Sequence, residues 1–343
     1  MMMPLNIKLS QTALGKAGCM LNLKRTIIDG YKEIPSANIV YGEAVHKFRH
    51  VMFQSKGHIP SARNEAIKVF HQPKIDKPKS PHLSDSNHML CTAFNFWEMY
   101  VVEDKELELL EINQDCWKCG GTGTIHEPLG ECEYIPCTEC GNTGKKLGPA
   151  TEISFSIPYY KDDYISVDLC GTLDGLGKIK GGCYVIPDLK TTSSWDTNGY
   201  FGTYAMSKQL RLYILALKIM AERFPDSILG QVGKTNIGAF IDAIFVKPAP
   251  NENKYGRSAV FQFPEWDIAA FKRTLDNKIL ELSAAVRDNY FPKQGILNGT
   301  CEGKWGRCPF WFVCQRDDNV AQIMLDRDFK KQPFDPLNYS GIE

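Results

Sequence analysis

The sequence predicts an α/β fold into which a small cysteine-rich module is inserted. Three observations carry that expectation. Runs that alternate apolar and polar residues, the pattern of half-buried strands, begin after Pro149 and recur at 165–169, 237–247 and 258–263. Long stretches with apolar residues three and four apart, the mark of amphipathic helices, accompany them at 203–223 and 266–290. Between these and an N-terminal helical part stand two Cys-x-x-Cys knuckles, Cys116/Cys119 and Cys137/Cys140. The chain therefore divides into a helical part at 1–110, the insertion at 111–148, a strand-rich core at 149–300 and a cysteine-bearing end at 301–343.

With 343 residues the chain is long enough for a substantial core. Lys+Arg and Asp+Glu balance at 40 each, so any nucleic-acid surface must be a local patch. No run of 18 apolar residues is present, which predicts no membrane span. The opening residues lack the apolar stretch of a signal peptide, so a cytoplasmic location is expected. In a reducing compartment the clustered members of the 12 cysteines suit metal better than disulfides.

In chain order, 9–34 reads as a helix starting near Ser10, with Leu14, Cys19, Leu21 and Leu23 among its apolar positions. Gly42 and His46 lie one turn apart on the next helix, and the missing side chain at Gly42 lets that helix approach a strand. Glu43 shares the turn. Residues 72–90 read as a linker or mobile loop, and Leu90 to Leu110 as a helix built on Phe94, Trp97 and Val101. The knuckles come next, each succeeded by small residues that let backbone N–H groups approach sulfur. That pattern suits a tetrahedral zinc site, and four thiolates leave no open position, so the zinc is structural. The knuckles resemble half of the cysteine-rich zinc domain of DnaJ-type chaperones, and Cys132 between them is spare.

Past Pro149, Glu152, Ser154 and Ser156 alternate with Ile153, Phe155 and Ile157. Next, Gly171 to Thr192 reads as a β-hairpin around a Gly- and Lys-rich turn, with Asp174 in its first arm and Asp188 and Lys190 sharing one face of the second. Two carboxylates and an ammonium then converge, a set that suits Mg²⁺ or Mn²⁺ and the orientation of an attacking water. A solvated surface hairpin is the alternative. On the helix at 203–223, Gln209 and Tyr213 share a face. The last cluster, Cys301, Cys308 and Cys314, lies among aromatic residues and lacks a fourth ligand, which Cys19 can supply. Such a set suits a [4Fe–4S] cluster, and zinc fits the same four sulfurs. Beyond Arg316 the polar tail is expected to be loosely ordered.

These motifs, in this order, resemble the RecB/AddB-type branch of the PD-(D/E)XK nucleases, from Cys19 to Cys314. Gly42-x-x-x-His46 is similar to that branch's helical histidine motif, Gly171-x-x-Asp174 to its second motif, Asp188-Leu189-Lys190 to its third, and Gln209-x-x-x-Tyr213 to the helix after it. One cysteine before these motifs and three after resemble the iron–sulfur staple of AddB-type and CRISPR-associated exonucleases. Cys301-x6-Cys308 is wider than that pattern, and Met20 stands where it has proline. The resemblance implies a restriction-endonuclease-like core, a central mixed sheet flanked by helices. It implies that His46, Asp174, Asp188 and the Leu189 carbonyl hold Mg²⁺ or Mn²⁺, that Lys190 positions or activates water, and that Gln209 and Tyr213 support the site. Lys47, Arg49, Lys208 and Arg211 offer further cations for phosphates, or simply a solvated face.

The implied activity is that of a metal-dependent DNA nuclease, foremost an exonuclease acting on single- or double-stranded ends in recombination, repair or phage DNA metabolism. A helicase or an annealing protein is a fitting partner, in a bacterial or phage-infected cell. The alternatives are a structure-specific endonuclease, an RNA-acting nuclease, and a non-catalytic DNA-binding module that keeps the fold. Without a Walker A loop the chain is no ATP-driven motor, and two knuckles without a J-type helical domain do not make a chaperone adaptor.

Overall fold

The computed structural model describes residues 4–32, 36–71, 81–102, 106–115, 124–126, 134–136, 141, 143–194, 196–303 and 306–336. Cys116, Cys119, Cys132, Cys137 and Cys140 lie outside them, as do 72–80 of the expected loop. The described chain is mixed α/β. No helix among the described residues is long and apolar enough to cross a membrane.

The chain opens with strand β1 (Leu5–Leu9), not anticipated, and short helices α1 (Gln11–Lys16) and α2 (Met20–Leu23). Ser10 does start the helical stretch, its hydroxyl accepting from the Ala13 amide, but the stretch breaks at Ala17 to Cys19 and is not one helix over 9–34. Helices α3 (Ala37–Gln54), α4 (Ile59–His71) and α5 (Ser86–Trp97) come next. Asp85 caps α5 through the Asn87 amide, so the helix begins inside the expected loop. It also ends early: Leu107–Leu109 is a strand, β2, where helix was expected.

Strands β3 (Thr151–Lys161) and β4 (Ile165–Gly175) form an antiparallel pair, and β1 adds to β4 in parallel. Next come β5 (Gly177–Ile179), β6 (Tyr184–Thr192), helix α6 (Lys208–Arg223), β7 (Ile237–Phe245), β8 (Lys254–Arg257), helix α7 (Glu265–Arg287) and helix α8 (Asp318–Asp328). The second sheet runs β8-β7-β6-β5-β2, with Phe261–Gln262 beside β7; β6 and β7 are parallel and the other pairs antiparallel.

The hairpin expected over Gly171 to Thr192 is therefore only partly formed. Its turn joins β5 to β6, through Gly177 opposite Val185. The longer arm, β4, belongs to the other sheet, because β3 and β1 occupy both of its edges. The polar tail is likewise more ordered than its composition predicts: Asp317 caps α8 through the Val320 amide, and α8 buries Ala321 and Leu325 against Phe310 and Val313.

The largest core packs β1, β3 and β4 against α6 and α7, and a second gathers α3, α4 and α5 around Leu189 of β6. Two motif glycines are places where no side chain fits. A Cβ on Gly42 would lie 2.8 Å from the Thr191 hydroxyl, so α3 rests directly on β6 as the sequence suggested. One on Gly171 would lie 2.8 Å from the Phe155 ring and 3.1 Å from that of Tyr213. Gly171→Val is expected to cost about 1–3 kcal/mol by overpacking, read as a lower urea midpoint at unchanged slope.

Candidate metal centre

Three elements bring the site together. Helix α3 aims His46 at the β4 and β6 edges, and the ring is held by contact of Nε2 with the Leu189 carbonyl at 2.9 Å. A backbone carbonyl can only accept, so Nε2 carries a proton and Nδ1 faces the other way. It faces two carboxylates: Glu152 Oε1 at 3.5 Å and Asp174 Oδ2 at 3.6 Å. Asp174 is anchored through that same Oδ2, which accepts from the Leu189 amide at 2.8 Å.

Glu152 is the residue that sequence reasoning passed over. Thr151 pairs with Gly175 and Ile153 with Leu173, so Glu152 stands across from Asp174 in the β3/β4 ladder. Two acids opposite one another repel unless something positive lies between them. The signal was present in the alternation of Glu152 with Ile153; what the sequence withheld was the pairing of this strand with β4. Among the described residues, His46, Glu152 and Asp174 are the one trio whose ligand atoms all lie within 4.8 Å of one another. Side-chain exposures of 24% for His46 and 31% for Glu152 leave the trio open to solvent on one side.

Electrostatics fit this geometry. Burial works against charge on His46, but Asp174 and then Glu152 outweigh it and raise the imidazole pKa. Glu43, one turn earlier, is pushed up to about 7 by burial, with His46 pulling it back. An imidazole nitrogen and two carboxylates are ligands that Mg²⁺ or Mn²⁺ accepts, so the residues present fit a hard divalent cation.

Asp188 and Lys190 share one face of β6, as the spacing predicts, and form their own unit beside the trio. Asp188 is fully buried, and its Oδ2 meets Lys190 Nζ at 2.6 Å. Its Oδ1 accepts from Gln209 Nε2 at 3.1 Å, and that amide also donates to the Tyr213 hydroxyl at 2.9 Å. Burial raises the Asp188 carboxyl pKa against the pull of Lys190. For Lys190, burial opposes the charge, but Asp188 and Asp174 overcome it and hold the ammonium protonated. Burial also raises the Tyr213 phenol, which stays neutral. The Leu189 carbonyl, expected among the metal ligands, meets His46 Nε2 with one of its two lone pairs.

The remaining cations divide. Arg211 is buried and paired with Asp267 at 2.9 Å, and Arg49 is buried with its guanidinium over the Phe53 ring. Arg211 is thus already paired, while Nε and Nη1 of Arg49 are buried without a hydrogen-bond partner among the described residues. Lys208 packs beside Gly15 of α1, and burial lowers its pKa.

The structure places Cys19 at the start of α2, near the Pro292 carbonyl, and Cys301, Cys308 and Cys314 beside it. Burial raises the Cys301 thiol, with Cys19 and Cys314 adding to it, and burial likewise raises Cys308, with Cys314 and Cys301 adding. Asn22 Nδ2 lies 3.6 Å from Cys308 Sγ, and Arg25 Nη1 lies 3.0 Å from Cys314 Sγ.

One backbone feature marks the trio. Glu152 has φ +52°, a left-handed conformation that costs a side-chain-bearing residue about 1–2 kcal/mol. Glu152→Gly is expected to raise the denaturation free energy by about 1 kcal/mol while removing one carboxylate from the site. Chemical denaturation and a cation titration on the same protein read the two effects separately.

Compared with known proteins, the chain matches no family model and no curated sequence.

Proposed function

We propose that the chain is a metal-dependent nuclease of the PD-(D/E)XK type that hydrolyses phosphodiester bonds in DNA, foremost from ends. The observation that carries this reading is Nδ1 of His46 directed at Glu152 and Asp174, with the Asp188–Lys190 pair alongside. A carboxylate pair facing an imidazole nitrogen draws a cation, a metal ion or else a proton on that nitrogen, and a protonated lysine next to it suits an anionic substrate.

A divalent cation held by His46, Glu152 and Asp174 would polarise the scissile phosphate and lower the pKa of a bound water. The chain's own groups do the rest. Because its partners keep Lys190 charged, its part is to donate, orienting the water and countering charge on the phosphate, rather than to remove a proton. Asp188 fixes the ammonium, and Gln209 fixes Asp188 while tying it to Tyr213. None of these contacts reads a base, which fits cleavage without sequence preference.

The four thiols at Cys19, Cys301, Cys308 and Cys314 support the proposal of a [4Fe–4S] staple. Asn22 and Arg25 offer N–H donors at Cys308 and Cys314, the kind of hydrogen bond that tunes such a cluster. Iron and sulfide analysis of anaerobically purified protein tests this; zinc in place of iron would overturn it. For the knuckles Cys116, Cys119, Cys137 and Cys140, a structural zinc remains the proposal from their spacing.

The test of the activity is digestion of linear DNA labelled at either end, with Mg²⁺, Mn²⁺ or EDTA. Progressive, metal-dependent loss of label is expected. Internal cuts in circular DNA would point to an endonuclease, and intact DNA that is nonetheless bound would reduce the chain to a binding module.

A further inference from the structure

Helix α3 carries more than His46 on the face that meets β3. His50 and Gln54 stand at the next two turns, and both reach Thr151, the residue before Glu152. His50 Nδ1 lies 2.9 Å from the Thr151 hydroxyl, and Gln54 Nε2 donates to that oxygen at 3.2 Å and to the Pro149 carbonyl at 3.0 Å. Gln54 and Thr151 are buried at 3% and 1% exposure. Burial pushes the His50 imidazole down to about 3, with Lys47 and Arg49 adding to it, so the ring is a neutral hydrogen-bonding group and brings no charge to the site.

Immediately after Thr151, Glu152 is the one residue of β3 and β4 with a left-handed backbone. A strand relaxes from that conformation unless its neighbours are held. On the far side, Ile153 is held by the ladder opposite Leu173. On the near side, Thr151 is paired with Gly175, the Ala150 amide donates to the Leu110 carbonyl at 2.7 Å, and the side chain of Thr151 is gripped from α3 as well.

We propose that His50 and Gln54 act as positioning residues: through Thr151 they hold Glu152 left-handed and so keep its carboxylate opposite Asp174 and within reach of His46. The helix that supplies one ligand thereby also sets the direction of another. The relaxed alternative, with Glu152 extended, swings the Cα–Cβ bond and takes the carboxylate out of the trio. This inference rests on the reading of the trio as a cation site.

The test is Mn²⁺ calorimetry on the full chain as wild type, Thr151→Val, Thr151→Ser, Glu152→Gln and the double variant Thr151→Val with Glu152→Gln. Thr151→Val should weaken Mn²⁺ binding about tenfold, the scale found for groups that orient a ligand. Thr151→Ser, which keeps the hydroxyl, should restore it. In the Glu152→Gln background Thr151→Val should cost nothing more, because its effect passes through Glu152. An equal loss in both backgrounds would overturn the proposal. Should Thr151→Val not fold, Gln54→Leu releases the same grip from the helix side and must give the same pattern. A crystal structure of the variant decides independently of any metal: Glu152 in an extended conformation supports the clamp, and Glu152 still left-handed beside His46 refutes it. Wild-type protein that takes up no Mn²⁺ would sink the cation reading, and the crystallographic comparison would then judge the clamp alone.

Discussion

Asp174→Asn is expected to weaken Mn²⁺ binding by more than about 100-fold and to abolish DNA cleavage with it, while leaving the far-ultraviolet circular dichroism unchanged. The asparagine oxygen still accepts from the Leu189 amide, so β4 and β6 stay joined, but the trio loses one of its two charges. That charge also supports the His46 imidazolium, alongside Glu152. The pH dependence comes from the sign of that support. Because the folded-state pKa of His46 is raised, a proton competes for Nδ1 from a higher pH than at an ordinary imidazole, about 6.5. Wild-type affinity for Mn²⁺ should therefore begin to fall, on acidification, above about pH 6.5. In Asp174→Asn the residual affinity should begin to fall only at a lower pH. Calorimetric titrations across pH 5 to 9 measure both; wild-type affinity in Asp174→Asn would remove Asp174 from the site.

Replacing Lys190 by methionine separates chemistry from cation binding. The trio is untouched, so Mn²⁺ uptake should persist. Cleavage should fall about 10²- to 10⁴-fold, the range for loss of a positioned donor or proton-transfer group. Stability should fall as well, since Asp188 is wholly buried and would lose its counter-ion; breaking such a pair costs about 3–5 kcal/mol. The penalty has a direction in pH. Without Lys190 the Asp188 carboxyl rises further above its unfolded value of about 3.9, so the folded variant prefers the acid form. Its deficit relative to wild type should be small near pH 4, grow as pH rises, and level off above the folded-state pKa. Urea denaturation of the two proteins at several pH values reads this directly, and a pH-independent difference would contradict the buried-pair account.

The site was legible in the sequence wherever function and local spacing coincide. Asp188 and Lys190 are two apart, and a strand must present them together; Gln209 and Tyr213 are four apart, and a helix must do the same. Gly42 marked the approach of α3 to β6 because only a missing side chain permits it. Glu152 was hidden for the opposite reason: its role depends on which strand lies across from it and on a backbone angle that no neighbour in sequence dictates. The same limit explains β1, whose partner Ile165–Leu169 is remote, and the long arm of the expected hairpin, which pairs with β3 and β1 instead of closing on β6. Tail helix α8 was misjudged because composition registers its polar surface and not the few residues that pack on Phe310.

Tyr31–Lys32 pairs with Lys330–Lys331, and Lys32 meets Gln332 across 300 positions of chain. On the ribosome, at about 5–20 residues per second, roughly 15 to 60 s separate the emergence of those two segments. For about half of that interval β1 waits for β4, and for nearly all of it Cys19 has none of Cys301, Cys308 or Cys314 to meet. The segment around Cys19 and Tyr31 is thus a newborn chain's unguarded flank, open to proteases, chaperones and oxidants until residues 301–332 arrive.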